Sequence, residues 1–257
     1  GYNLYNLLLS RFIFMKIAFY DTRAYDKSAF TKENETFGYE IDFFDFKLNE
    51  KTALTANGYD AVCVFVNDVV NSEVIDILKG YGIKLVILRC AGFNNVDLEA
   101  AKDANIKVVR VPAYSPHAVA EHALALLMSL TRHIPQAYQR TKTLNFSIEG
   151  LTGRDLYGLK GGILGTGKIG QIMAGILSGL GMEIICYDPF PNKDWADKNG
   201  FSYVSLEELV KECDVLSLHC PLTPETKHIV NHDNMKMMKG DAVIINTGRG
   251  ALIDAKA

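Results

Sequence analysis

The sequence predicts an α/β protein built as two domains, each a parallel sheet flanked by helices, and three observations carry this. From Met15 onward, short β-branched or aromatic runs alternate with helical patterns, as in a parallel sheet covered on both faces. One long Ala/Leu-rich stretch, "YSPHAVAEHALALLMSLTRHIPQAYQRT", divides that alternation into two series. A glycine triplet in the second series follows a strand and opens a helix. A length of 257 residues, 48% apolar and 22% charged, is sufficient for two cores.

In the first series the strands are predicted at Lys16–Tyr20, Glu40–Asp45, Ala61–Val66, Lys84–Arg89 and Lys107–Val111, where β-branched and aromatic residues concentrate. Helical patterns fill the intervals near Ala24–Thr36, Ser72–Tyr81 and Val96–Ala104. The long stretch comes next. Ser115 is a suitable N-cap, Pro116 suits the first helical position, and four turns of Ala and Leu predict one mostly buried helix that Pro135 kinks or restarts. This places a domain boundary near Pro112.

The second series reads as strand Leu159–Leu164, helix Lys168–Leu180, strand Glu183–Tyr187, a short helix near Lys193–Asn199, strand Ser202–Val204, helix Leu206–Lys211, strand Val215–Leu218, helix His232–Met238 and strand Ala242–Asn246. Gly161 and Gly162 occupy strand positions that β-branched residues would stabilise better, which predicts a locally weak strand.

A formal charge of −3 and the lack of a long Lys/Arg run leave no electrostatic footprint for nucleic acid or an anionic membrane, so a small molecule is the expected partner. Five cysteines, with no C-x-x-C spacing, read as core thiols of a reducing compartment, and no metal site is expected. No apolar run approaches the roughly 20 residues of a membrane span, so the expected location is cytoplasmic. Residues 1–14, "GYNLYNLLLSRFIF", lack a basic n-region and are broken by Arg11, so they read as a leader or non-native extension before a natural start at Met15.

The glycine triplet is Gly165, Gly167 and Gly170 in "GILGTGKIGQIMAGILSGLG". The first glycine permits a tight turn, the second lets backbone approach a pyrophosphate, and the third lets the helix lie close to the sheet. Lys168 and Ile169 complete the turn, and the helix N-terminus then faces the phosphates. Ile169, Ile172, Met173, Ile176, Leu177 and Leu180 form one apolar stripe ending at Gly181, a suitable C′ glycine. Eighteen residues past Gly170, Asp188 in "CYDPF" is placed to accept from both adenosine ribose hydroxyls and to repel a 2′-phosphate. NAD is thus the expected cofactor on a Rossmann-like domain.

Ligands of open α/β sheets collect beyond the carboxyl ends of the strands. Three such ends, "YDPF", "LHCPLTPET" and "INTGRG", could line one crevice, with Cys220, Pro221 and Thr226 on the adenine side and Thr247, Gly248 and Arg249 toward the nicotinamide. Arg249 is the only charged residue from Ala242 to Ile253, and its fork suits a carboxylate or 2-oxo acid. A salt bridge to an acid such as Asp254 is its alternative role. In the first series, Ala91 and Gly92 of "RCAGFNNVD" are expected to present backbone N–H groups to a small anion across an interdomain cleft. Tyr114 either reaches that cleft with its hydroxyl or packs in the hinge.

With these residues assembled, the chain from Met15 to Ala257 resembles the D-isomer-specific 2-hydroxyacid dehydrogenases, and among them the fermentative NAD-dependent D-lactate dehydrogenases. The segments "RCAGFNNVD", "VPAYSPHAVAEHALALLMSL", "NFSIEGLTG", "GTGKIG", "SLHCPLTPET" and "NTGRGALID" stand in that family's order. The resemblance implies a flavodoxin-like substrate-binding domain over 15–112 and a Rossmann NAD-binding domain over 113–257, with the active site between them. It also implies reduction of a small 2-oxo acid, pyruvate to D-lactate, with Arg249 holding the carboxylate and polarising the keto oxygen. A bulkier 2-oxo acid, a nucleotide-sensing corepressor role and an inactive family member are its alternatives.

In the family a histidine, its pKa raised by a glutamate, donates the proton. Both lie in segments beyond the arginine strand, so by resemblance this chain is cut short, is inactive alone and leaves Ala242–Asn246 as an exposed apolar edge. Of the six histidines, His117 is the nearest substitute, and the family's variation there argues against it. The resemblance further implies a homo-oligomer joined through the long helix and the "NFSIEGLTG" arm.

Overall fold

The computed structural model describes residues 15–257; the leader read at residues 1–14 lies outside them. The chain divides into two compact units, one ending at Tyr114 and the other beginning at Ser115. Each contains, among the described residues, a five-stranded sheet whose pairings are all parallel.

The first unit runs β1 (Lys16–Phe19), α1 (Ala24–Phe37), β2 (Glu40–Phe43), β3 (Ala61–Val64), α2 (Ser72–Gly80), β4 (Leu85–Leu88), α3 (Leu98–Asp103) and β5 (Lys107–Arg110), in spatial order β2-β1-β3-β4-β5. The inner strands are apolar on both faces because helices cover both. Ala18, Val62, Val64, Val86 and Leu88 pack with Val74, Ile75 and Leu78 of α2, while Ile17, Phe19, Ala61 and Cys63 form a second layer.

The third predicted helix starts at Leu98 rather than Val96. Asp97 is its N-cap, accepting from the Ala100 amide at 2.9 Å, and Val96 instead makes a parallel bridge to Val70. The strands end one or two residues sooner than predicted where the backbone leaves the ladder; Asp21, just past β1, has a left-handed φ of 47°. Arg89, just past β4, packs its guanidinium against the rings of Phe19 and Phe65, 4.5 and 4.7 Å from their centroids, and donates to the Asp21 carbonyl at 2.6 Å.

The second unit begins with α4 (Pro116–Thr131), N-capped by Ser115, whose hydroxyl accepts from the Ala118 amide at 3.1 Å. The helix is not mostly buried. Ala120, Ala123, Leu127 and Thr131 are its buried stripe, while Leu126 and Leu130 are exposed. The chain breaks at left-handed His133 and restarts as α5 (Ile134–Lys142), with Pro135 in its first turn as predicted.

There follow β6 (Lys160–Leu164), α6 (Lys168–Gly179), β7 (Glu183–Tyr187), α7 (Lys193–Asn199), β8 (Ser202–Tyr203), α8 (Leu206–Glu212), β9 (Val215–Leu218), α9 (His232–Met235) and β10 (Val243–Asn246), in spatial order β10-β9-β6-β7-β8. Helix α9 ends three residues before the predicted Met238, after a single capped turn in which Asn231 accepts from the Asp233 and Asn234 amides. Among the described residues β10 is an edge strand, half-buried apart from Ile245, whose side chain is buried.

The two strand glycines are tightly packed in β6, the centre of the sheet. A Cβ at Gly161 would come 3.0 Å from Ile184 and 3.1 Å from Leu177, and one at Gly162 would come 2.8 Å from the Cys213 Cβ. Their absent side chains let neighbouring elements approach the sheet closely on both faces.

At the amino ends of these strands, Asp214 accepts from the Arg154 Nη2 at 2.7 Å, the Lys160 amide at 2.9 Å and the Lys239 Nζ at 3.0 Å. Burial works to raise its pKa, but the Lys160 amide, Lys239 and Arg154 outweigh it and hold the carboxylate below its usual range. This cluster stitches β6, β9 and β10 together at the end opposite the glycine turn.

Gly162→Ala is expected to overpack this layer and lower unfolding free energy by about 1–3 kcal/mol. Urea denaturation of the two proteins checks it; unchanged stability would show that the layer has slack.

Candidate functional site

The order β10-β9-β6-β7-β8 puts a topological switch point between β6 and β9, where successive connections leave in opposite directions and open a crevice at the carboxyl ends. The glycine turn stands there. Gly165 has a φ of 94°, and a Cβ on it would sit 2.6 Å from the Cys220 amide nitrogen, so β6 and β9 meet backbone to backbone. A Cβ on Gly170 would overlap the Gly165 carbonyl oxygen. Nothing lies within 4 Å of a Cβ on Gly167, the N-cap of α6, and this leaves open space over the first turn of the helix. Lys168 is exposed there, and Ile169 packs half-buried on the core.

Asp188, at the end of β7, is built into this turn. Its Oδ2 accepts from the Thr166 amide at 2.7 Å and the Thr166 hydroxyl at 3.1 Å, and its Oδ1 accepts from the Phe190 amide at 2.9 Å. These three donors fill most of the roughly four acceptor positions of a carboxylate. The acceptor capacity that remains is on Oδ1.

Beyond β9, the ring Nε2 of His219 shares a hydrogen bond of 2.8 Å with the hydroxyl of Ser217, which is fully buried. Burial lowers the His219 pKa to about 4, so this histidine is neutral near pH 7 and does not serve as a proton donor. Burial also raises the pKa of the half-buried Cys220 thiol. The Thr226 hydroxyl donates to the Pro221 carbonyl at 2.6 Å and accepts from the Thr223 amide at 2.7 Å. Its hydroxyl therefore closes the Pro221–Thr226 loop and is used within it.

At the end of β10, the Asn246 side chain ties the "NTGRG" turn. Its Oδ1 accepts from the Gly248 amide at 2.9 Å and its Nδ2 donates to the Arg249 carbonyl at 3.0 Å. Sequence reasoning passed over Asn246, although an Asn two residues before a glycine is a recognisable Asx-turn signal. The Thr247 hydroxyl is buried without a hydrogen-bond partner, an orphan polar atom beside the crevice that a ligand group would satisfy. Arg249 is half-buried and extended, at φ −108° and ψ 129°, and the following 3-10 turn, Gly250–Leu252, anchors it through the fully buried Leu252.

In the first unit, the Ala91 carbonyl accepts from the Arg110 Nη1 at 2.9 Å, and that guanidinium lies over the Phe93 ring, 5.4 Å from its centroid. No described peptide is cis, so the Gly92 N–H points away from Arg110. Arg110 was not anticipated as the group that orients this loop; a cation at a strand end is too common a pattern to single out. Tyr114 is 62% exposed at the unit boundary.

Residues 124–257 match the family model for the NAD-binding domain of D-isomer specific 2-hydroxyacid dehydrogenases. The chain is 55% identical to the D-lactate dehydrogenase of Escherichia coli (strain K12) over 243 residues, covering 95% of this chain and 74% of that protein. The chain belongs to the D-isomer-specific 2-hydroxyacid dehydrogenases.

Solved structures of the family share the fold over most of this chain. The apo-structure of the E. coli enzyme superposes with a TM-score of 0.88, covering 95% of this chain and 77% of that one. D-Lactate dehydrogenase from Aquifex aeolicus, solved with NAD and lactic acid, superposes at 0.80 with 33% identity, covering 93% and 70%. In this dehydrogenase no helix among the described residues is long and apolar enough to cross a membrane.

Two outcomes follow from the site's packing. Gly170→Ala forces α6 off the turn and is expected to cost about 3 kcal/mol or more, read by chemical denaturation. His219 titrates near 4 when folded and near 6.5 when unfolded, so between these values the unfolded chain binds more protons. Its contribution is therefore complete above about pH 6.5 and lost as pH falls toward 4. Thermal melts across that window should show a shallower decline for His219→Gln; parallel curves would remove the assignment.

Proposed function

We propose that the second unit binds NADH at the glycine turn and that the protein reduces a small 2-oxo acid, pyruvate to D-lactate. The observation that carries this is the Gly165–Gly170 turn locked to Asp188 at the switch point of the sheet, with open space above Gly167. The pyrophosphate lies over the amides at the N-terminus of α6. Gly165, Gly167, Lys168, Ile169 and Gly170 form that cradle, and Asp188 accepts from the ribose. Cys220 and Pro221 border the adenine through the loop that Thr226 closes, while Thr247 and Gly248 lie toward the nicotinamide. The bound cofactor supplies the hydride.

Arg249 holds the substrate carboxylate with its guanidinium fork and polarises the keto oxygen, on which negative charge develops. The Gly92 amide and the Ala91 backbone give the first unit's contribution to anion binding, and the Tyr114 hydroxyl adds a polar contact. The assembly we propose is a homo-oligomer. Leu144, Phe146 and Ile148 in and just before the arm and Leu126, Leu130, Ile134 and Tyr138 of the helices are all exposed, more apolar surface than an isolated unit ordinarily leaves in water.

NADH-dependent reduction of pyruvate by the purified protein tests the reading. Arg249→Gln should lower kcat/KM by about 100- to 1000-fold, with partial recovery in Arg249→Lys, while NADH affinity changes little. Equal activity of wild type and Arg249→Gln would sink the assignment. A preference for a branched 2-oxo acid over pyruvate would move the substrate within the same family.

A further inference from the structure

The carboxylate of Asp188 stands at the end of a directed chain of hydrogen bonds that runs through two hydroxyl groups. The Asn192 amide donates to the Tyr203 phenol oxygen at 3.0 Å. With that acceptor position used, the phenol proton is left for the Thr166 hydroxyl oxygen, 2.8 Å away. The Thr166 proton then goes to Asp188 Oδ2 at 3.1 Å, beside the Thr166 amide on the same oxygen. Tyr203 is itself fixed: it pairs with Cys186 in the ladder, and its ring meets the edge of Trp195, which packs on Phe201.

Thr166 is 5% exposed, so the two positions it fills on Oδ2 point into the protein where no ribose reaches. They give the carboxylate a fixed direction and leave only Oδ1 capacity for a ligand. A neutral hydroxyl benefits from that fixed acceptor, whereas a phosphate on the same ribose would face negative charge that cannot swing aside.

We propose that Thr166, oriented by Tyr203, is a specificity-determining positioning residue that makes the site exclude NADPH. The proposal rests on the reading that the glycine turn binds NADH. Removing the Thr166 hydroxyl frees no position that a ribose can use, because the freed one is buried. It removes one of the three donors that fix the carboxylate, leaving the Thr166 and Phe190 amides, so the carboxylate is held less firmly and ribose binding and the repulsion of phosphate both weaken.

Trp195, the only tryptophan of the chain, supplies the readout: quenching of its emission by energy transfer to a bound reduced nicotinamide gives separate dissociation constants for NADH and NADPH. Wild type should prefer NADH, and Thr166→Val should reduce the ratio of the two constants by about fivefold or more, as expected for one hydrogen bond to a charged group. Thr166→Ser should restore it, and Tyr203→Phe should shift it the same way by a smaller factor. A Thr166→Val ratio within about twofold of wild type overturns the proposal, since loss of a merely structural contact would weaken both cofactors alike. Should Thr166→Val not fold, an unchanged ratio in Tyr203→Phe overturns it. Wild type that binds neither cofactor removes the underlying reading and this inference with it; wild type that binds NADH while the variants keep full discrimination removes this inference alone.

Discussion

The second unit depends on one close approach, in which the backbone of the glycine turn is pressed between the first turn of α6 and the end of β9. Gly170 brings the helix against the Gly165 carbonyl, and Gly165 brings β6 against the Cys220 amide. Both contacts are van der Waals contacts of backbone with no room for a side chain, so they fix position to a fraction of an ångström. Everything proposed for the cofactor follows from that spacing. The Thr166 amide can reach Asp188 only because the turn is this tight, and the helix N-terminus opens onto the crevice only because the helix begins at Gly167.

The same logic extends below the turn. Gly161 and Gly162 admit α6 and α8 to the two faces of β6, and the Asp214 cluster holds the far end of β6, β9 and β10. The strand that looks weakest by propensity is therefore held at both ends and on both faces. Propensity measures how a residue fits an average pleated surface, and here it is outweighed by packing at a centre where both faces are covered.

Polar groups at the strand ends divide into those that build the site and those left over for a ligand. Asn246 holds the turn that presents Arg249, and the Ser217–His219 pair holds the start of the next loop; both are satisfied within the protein. The orphan Thr247 hydroxyl and the remaining capacity of Asp188 Oδ1 are not. A buried histidine kept neutral near pH 7 belongs with the first group, which is why a side chain that can carry a proton lies beside the crevice without being able to deliver one there.

The sequence by itself determined the parallel α/β class, nearly every element of both units, the restart at Pro135, the glycine turn, and the places of Asp188 and Arg249 just past strand ends. These are legible because they rest on local rules: the period of apolar residues, the caps, and glycines placed by what each backbone position must tolerate. Tertiary structure alone decided the rest. That Leu126 and Leu130 lie exposed on a helix read as mostly buried depends on what packs against it, which no period reports. The Thr226 hydroxyl is used inside its own loop, and the Asp188 carboxylate is mostly filled by protein donors, because hydrogen-bond partners are set by three-dimensional proximity. Thr166 and Tyr203 lie 37 residues apart and meet at 2.8 Å only through the pairing of β7 with β8. Residue type and spacing marked where a nucleotide would be held; the close approach of separate strands set how many of its groups each side chain has left to hold.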